Sequence, residues 1–301
     1  MNNKPKTQNN FFNKPIGEFV TIDKNTYHAC QKGNGRNTLV FLAGEAVPCP
    51  SLDFKPLYSL LASKFKIVVL EKAGYGLSDI TSDPSDIATL VARNRQILKA
   101  LSIAPPYILV PHSYSGLEAI YWSQKHKSEI KAIIALDMTI PSIAKIAKTP
   151  PQIKLAIGLS LIFKKIKITK KQAIKLTKKL PSFDHPSLSD HDKMIYFNLI
   201  KNRFMTINMA KEIILLKSNA AIVDSGKTPT DLPILFFSSD LIDAAKNANK
   251  TPSDLLQLQK DFVSNFSTNQ HTILDCDHFV HAHKSNQIAR QITAFIDTVF
   301  G

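Results

Sequence analysis

The chain has 301 residues, 44% of them apolar and 21% charged, with a formal net charge of +14. That length suits one large domain, or a core carrying an insertion, and no apolar run approaches the ~18 residues a helical membrane span needs. Of the 38 basic residues only five are arginine, at 36, 93, 95, 203 and 290; sequence readers of nucleic acid lean on arginine forks and stacked aromatics, so no nucleic-acid partner is expected.

The first fifteen residues, MNNKPKTQNNFFNKP, are polar and lack the apolar stretch of a secretory signal, so residues 1–15 are expected to be a flexible tail. EFVTI (18–22) and TYHACQ (26–31) around Asp23-Lys24-Asn25 predict a hairpin, and Gly33-Asn34-Gly35 marks the next turn. TLVFLAG (38–44) predicts a buried strand, LDFKPLYSLLASKF a helix, and KIVVLEKAGYG (66–76) a second buried strand running into a glycine-rich turn. Helical spacing returns over 86–101 after the start signal Asp83-Pro84-Ser85, then a strand at 107–111, a helix at 114–126 and a strand at 130–138. Residues 141–230 show helical patterns and no clear strand. The rhythm resumes with LPILFFSSD as a strand and a helix capped by Thr251 with Pro252 in its first turn. HTILDC then predicts a strand and SNQIARQITAFIDTVF a final helix.

Near-continuous apolar strands alternating with helices imply an α/β fold with a mostly parallel central sheet covered by helices on both faces. The expected organisation is a core formed by 16–140 and 231–301, with a helical cap inserted at 141–230.

The chemistry concentrates at VPHSYSG (110–116), between the strand at 107–111 and the following helix. A serine on a tight strand-to-helix turn exposes its hydroxyl at the carboxyl edge of the sheet, and the next backbone N–H faces the substrate oxygen. The usual G-x-S-x-G spacing keeps the flanking positions small. Here they are Pro111 and Ser115, with Gly116 one step later. Ser113 is therefore the candidate nucleophile, against the plainer reading of a capping serine at a turn. Three segments supply partners in the required chain order. Ala43-Gly44-Glu45 ends a strand, so the Glu45 N–H would join that of Tyr114 in an oxyanion hole. CDHFVHAHKSN (276–286) offers His278 as general base and then acid. An acid must orient His278, and two aspartates end strands: Asp240, preferred because it closes the strand after the insertion, and Asp137 as the alternative. Asp243 is a third choice.

These landmarks, FLAG at 41–44, EKAGYGLSD at 71–79, PHSYSG at 111–116 and DHFVH at 277–281, resemble the α/β-hydrolase-fold family in its capped, lipase/esterase-like branch. The resemblance covers about 16–140 and 231–300. It implies a serine hydrolase cleaving a small acyl ester through a Ser-His-Asp triad and an acyl-enzyme. The elbow glycines, the usual His-Gly of the oxyanion loop and the Gly-x-x-Asp form of the acid loop are absent. A serine at the elbow argues against dehalogenase or epoxide-hydrolase chemistry, which uses a carboxylate nucleophile in this fold. An amidase or peptidase on the same scaffold, and a non-catalytic binding protein, stay open.

No phosphate loop occurs, so no cofactor is expected. His278, His281 and His283 form an HxxHxH cluster, but no metal is expected there. In SFDHPSLSDHDK (182–193), Ser189 predicts a helix cap with Asp190 and Asp192 in the first turn. Cys30, Cys49 and Cys276 are odd in number and lack CxxC spacing, which fits reduced thiols in the cytoplasm. From Met138 to Phe183 there is no acidic residue and there are eleven lysines, beside the apolar block LAIGLSLIF (155–163). A solvated lysine face over an apolar underside explains this; the sharper expectation is peripheral contact with an anionic membrane.

Overall fold

The computed structural model describes residues 16–240 and 248–301. The expected tail, 1–15, and Asp243 lie outside the described residues.

The strands are β1 (Glu18–Ile22), β2 (Asn25–Lys32), β3 (Thr38–Leu42), β4 (Lys66–Glu71), β5 (Tyr107–Pro111), β6 (Ile130–Leu136), β7 (Lys165–Ile166), β8 (Met205–Thr206), β9 (Ile234–Ser238) and β10 (Asn269–Ile273). Eight of them form one sheet in the order β1-β2-β4-β3-β5-β6-β9-β10. β2 runs antiparallel to both β1 and β4; every other pairing is parallel. The expected hairpin is β1–β2.

The helices are α1 (Pro50–Asp53), α2 (Lys55–Leu61), α3 (Ile87–Ala100), α4 (Ser115–Lys125), α5 (Pro141–Ile146), α6 (Pro151–Phe163), α7 (Lys170–Thr177), α8 (Pro181–Asp184), α9 (Asp190–Asn202), α10 (Ile207–Asp224), α11 (Pro252–Ser264), α12 (Val280–His283) and α13 (Ser285–Phe300). They explain why the strands are apolar on both sides. Successive strand residues point to opposite faces. Leu39 and Phe41 of β3 pack with Leu57 and Leu61 of α2 and with Ile288, Ile292 and Phe295 of α13. Val40 and Leu42 of the same strand pack with Val91, Ile97 and Leu98 of α3 and Trp122 of α4. Burying each such side chain contributes about 1.5–3 kcal/mol.

Caps set several helix starts as the sequence predicts. Ser189 and Asp192 form a reciprocal capping box at α9, and Thr251 with Asp254 forms another at α11. Two predicted details shift. β10 begins at Asn269, two residues earlier than HTILDC suggests, because this edge strand is largely exposed and carries little apolar signal. Between β6 and β9 the sequence shows no strand, yet β7 and β8 pair antiparallel; two-residue strands are too short to leave a period.

Polar bonds, most of them buried, tie the elements between β6 and β9 to α4 and to the turns after β4 and β5. Glu212 of α10 meets Lys72 at 2.7 Å, and Lys72 also meets Glu118 of α4 at 2.7 Å. Asn219 donates to the Tyr114 hydroxyl at 2.7 Å. Arg203 donates to the carbonyls of Gly76 and Ser78.

Candidate active site

Ser113 sits between β5 and α4 with φ of 56°, the left-handed region that a non-glycine residue occupies at a cost of about 1–3 kcal/mol. Its carbonyl accepts from Thr139 N–H at 2.8 Å and Gly116 N–H at 3.0 Å, which holds the turn. The irregular elbow residues are accommodated. Pro111 closes β5 beside Leu42, and the next N–H, that of His112, reaches the Leu42 carbonyl at 3.0 Å. Ser115 is buried and replaces the glycine by bonding inward, donating to Leu42 O at 2.6 Å and accepting from His112 N–H at 3.0 Å. Gly116 has no such latitude, since a Cβ there would lie 2.5 Å from Thr139 O.

The loop after β3 approaches Ser113 closely. A Cβ on Gly44 would stand 2.6 Å from the Ser113 Cβ, so only glycine fits. Among the described residues neither the Glu45 N–H nor the Tyr114 N–H has an acceptor. The next N–H, of Ala46, donates to the Tyr75 hydroxyl at 3.3 Å, and that hydroxyl donates to Glu212 at 3.0 Å. The loop after β3 is thus tied to α10.

His278 precedes α12, and its Nδ1 donates to Asp137 Oδ2 at 2.6 Å. The carboxylate bonded to His278 is that of Asp137, at the end of β6, the alternative to the preferred Asp240. Adjacent parallel strands bring both aspartates to the same sheet edge, and the backbone decides between them. Asp137 has φ of 45° and donates its N–H to Phe237 O at 2.7 Å. Its carboxylate also accepts from Ser239 N–H at 3.1 Å and Ser239 Oγ at 2.6 Å. Burial by itself would raise the Asp137 carboxyl; the bonds from His278 and Ser239 outweigh it and hold the group below the usual carboxylate range. Desolvation pulls the His278 imidazole down, but Asp137, then Glu45 and Asp277, more than offset it and raise it above an ordinary histidine. Burial raises the Glu45 carboxyl.

Ser113 and His278 line one cavity of about 190 Å³, with Gly44, Glu45, Tyr196 of α9 and Leu180 from the segment before α8. No hydrogen bond joins Ser113 Oγ to His278 among the described residues, though both line the same cavity.

Behind His278 lies a second assembly that no sequence motif marks. His112 Nε2–H donates to the His278 carbonyl at 3.0 Å, which fixes the His112 tautomer. Burial, with His278 and His281 alongside, lowers its pKa well below that of a free histidine, so the ring is neutral. His281 Nε2 bonds Asp53 Oδ2 at 2.9 Å, and Tyr196 OH donates to Asp53 Oδ1 at 2.9 Å. Burial favours a protonated Asp53, but the His281 contact and the Tyr196 bond overcome it and keep the carboxyl low. The His112 ring stands 4.6 Å from that of His278 and 4.7 Å from that of His281. The HxxHxH cluster is therefore split: His278 takes Asp137, His281 takes Asp53, and His283 takes Asp277. Adjacency to Ser113 was the available signal for His112. Asp53 and His281, 228 positions apart, carried none.

A strand-turn-helix serine, a histidine loop before the last helix and a carboxylate at a parallel strand end define an α/β-hydrolase architecture. Family comparison agrees, since the model of the α/β hydrolase fold matches residues 37–284. The chain belongs to the α/β-hydrolase-fold family. It is 31% identical over 297 residues to the uncharacterized protein YbdG of Bacillus subtilis (strain 168), covering 95% of this chain and 87% of that one. Among solved structures it resembles epoxide hydrolase VrEH1 from Vigna radiata, with a TM-score of 0.65, 16% identity and coverage of 94% of this chain and 97% of that one. It also resembles a haloalkane dehalogenase loop variant, DbeA-M1 from Bradyrhizobium elkanii, with a TM-score of 0.63, 13% identity and coverage of 93% and 96%. At those identities the likeness concerns the fold. Among the described residues no helix is long and apolar enough to cross a membrane.

Proposed function

We propose that the protein is a serine carboxylic-ester hydrolase acting on small acyl esters. One observation carries the reading: Ser113, in a left-handed turn, shares a cavity with a histidine whose far nitrogen is bonded to a buried carboxylate.

His278 Nε2 takes the Ser113 proton as Oγ attacks the ester carbonyl. The carbonyl oxygen gains charge and accepts the Tyr114 and Glu45 N–H groups. Collapse expels the alcohol, which leaves with the proton from His278. Water, deprotonated by the same nitrogen, then attacks the acyl-enzyme and releases the acid and Ser113. Asp137 keeps Nδ1 protonated and stabilises the imidazolium in both halves.

The hydroxyl nucleophile separates this reading from epoxide and haloalkane chemistry, which uses a carboxylate at the elbow in this fold. The small cavity supports a short acyl group, because drug-sized ligands occupy roughly 300–1,000 Å³. Leu180 and Tyr196 support a cap role for 141–230, since both reach the cavity from that segment. The three free thiols support a reducing, cytoplasmic setting.

The test is fluorophosphonate labelling with mass mapping, followed by a panel of short nitrophenyl esters and matched amides. Label on Ser113, lost in Ser113→Ala and suppressed in His278→Ala, with ester turnover exceeding amide turnover, supports the proposal. A folded protein that takes no label across the pH range would leave the binding-protein reading.

A further inference from the structure

We propose that α6 and the lysines that follow it form a docking surface for an anionic lipid bilayer.

The helix is apolar on both sides, and the fold covers only one. Ala156, Ile157 and Ser160 are buried, Ile153 is half-buried, and the two buried aliphatic side chains pack with Met209, Ala210 and Ile213 of α10. The opposite face carries Leu155, Leu159 and Ile162, with Phe163 at its end. Their exposures are 66%, 38%, 71% and 65%. The spacing of 155, 159 and 162 is one helical stripe, and Gly158 on the same side has nothing within 4 Å of where a Cβ would stand. A helix apolar all round is ordinarily enclosed, and scattered exposed leucines need no account while a contiguous set does.

Charge identifies the occupant. All eleven lysines between Met138 and Phe183 are exposed. Only Lys145 pairs with a carboxylate, that of Asp224, among the described residues. Lys164, Lys165 and Lys167 follow directly on the exposed end of α6, with Lys170 and Lys171 in the first turn of α7. Lys148, Lys154 and Lys217 line a groove at the other end of α6. An apolar stripe between cationic groups matches the acyl boundary of a bilayer and its anionic headgroups. A second copy of this chain would bring two unpaired lysine fields together, and nucleic acid would leave the aliphatic stripe wet. Thirteen residues make about 20 Å of helix, short of the ~30 Å hydrocarbon core, so α6 lies on the surface and does not span it.

The experiment is flotation of the full chain with vesicles of phosphatidylcholine alone or with about one-third phosphatidylglycerol, at low and high salt. Wild type is expected to float with the anionic vesicles at low salt and to stay down with neutral ones. Ile162→Asp/Phe163→Asp should weaken binding at least tenfold. Lys170→Glu/Lys171→Glu should weaken it and flatten its salt dependence, while Lys32→Glu/Lys64→Glu, with the same charge change on the core, should have a smaller effect. All substituted positions are exposed, and circular dichroism with turnover of a water-soluble ester or, failing turnover, the melting temperature checks that each variant is folded. Absence of anionic-vesicle binding at low salt would overturn the proposal. So would α6 and α7 variants that float like wild type, or a dimer in solution that Ile162→Asp/Phe163→Asp dissolves without any lipid binding.

Discussion

Two histidine–carboxylate pairs lie on either side of the His112 ring, and they are built from the same parts to different ends. Asp137 and Asp53 are both buried, and each receives a second donor, Ser239 in one case and Tyr196 in the other. The imidazoles differ. The His278 side chain is 44% exposed, bonds its carboxylate through Nδ1 and keeps Nε2 for the cavity. His281 is fully enclosed, bonds its carboxylate through Nε2, and its buried Nδ1 has no partner among the described residues. Identical pairing thus leaves a ring nitrogen open to the cavity in one place and makes a structural strut in the other. Access, and which ring nitrogen is spent on the carboxylate, makes the distinction. The strut also has a position: it joins α1, α9 and α12, the helix that follows His278, so the segment between β6 and β9 bears on the geometry of the cavity.

That contrast can be broken most directly at the reactive side. Ser113→Ala or His278→Ala should reduce kcat for ester hydrolysis by ~10³-fold or more at unchanged melting temperature, measured on a short nitrophenyl ester. Next, Asp137→Asn should cost roughly 10³–10⁴-fold in kcat, because an amide cannot hold the imidazolium or enforce the tautomer. Asp240→Asn should cost less than about tenfold; equal losses at both positions would return the acid role to dispute.

At the buried pair the cost should appear in stability. Asp53→Asn or His281→Gln leaves half of an enclosed pair and should lower unfolding free energy by about 3–5 kcal/mol in denaturant titration, while kcat of the folded fraction falls far less than in Asp137→Asn. The Asp53 carboxyl is held below its ordinary value in the folded state. Its contribution is therefore present above the unfolded pKa near ~3.9 and is lost as pH falls through the folded value, so Asp53→Asn should flatten the acid limb of stability.

A smaller effect concerns pH. Ester attack needs neutral His278, whose pKa is raised, so kcat/KM should climb with pH through a midpoint above ~6.5. Glu45 contributes to that elevation, and Glu45→Gln should move the midpoint to lower pH; an unmoved limb would remove Glu45 from the electrostatics of the site. Smallest of all, Tyr196→Phe deletes one bond to Asp53 and should cost about 1 kcal/mol in thermal unfolding.

The sequence by itself determined the sheet and the serine. Strands such as TLVFL and YILVP are apolar on both faces because helices cover both, and that composition is local information. The elbow and the histidine loop were legible for the same reason, since each is a short segment placed against a predicted strand or helix. Tertiary structure decided everything that depends on distances between segments. Asp137 and Asp240 end neighbouring strands and look alike as sequence; the left-handed backbone at 137 brings the first to His278. Asp53 and His281 meet only because the fold brings the side chains of α1 and α12 within hydrogen-bond reach. In α6, the sequence predicts an apolar underside, and packing leaves a second apolar face open. Propensity and period act over a few residues, whereas the partner of a buried charge or an apolar face is set by the folded whole.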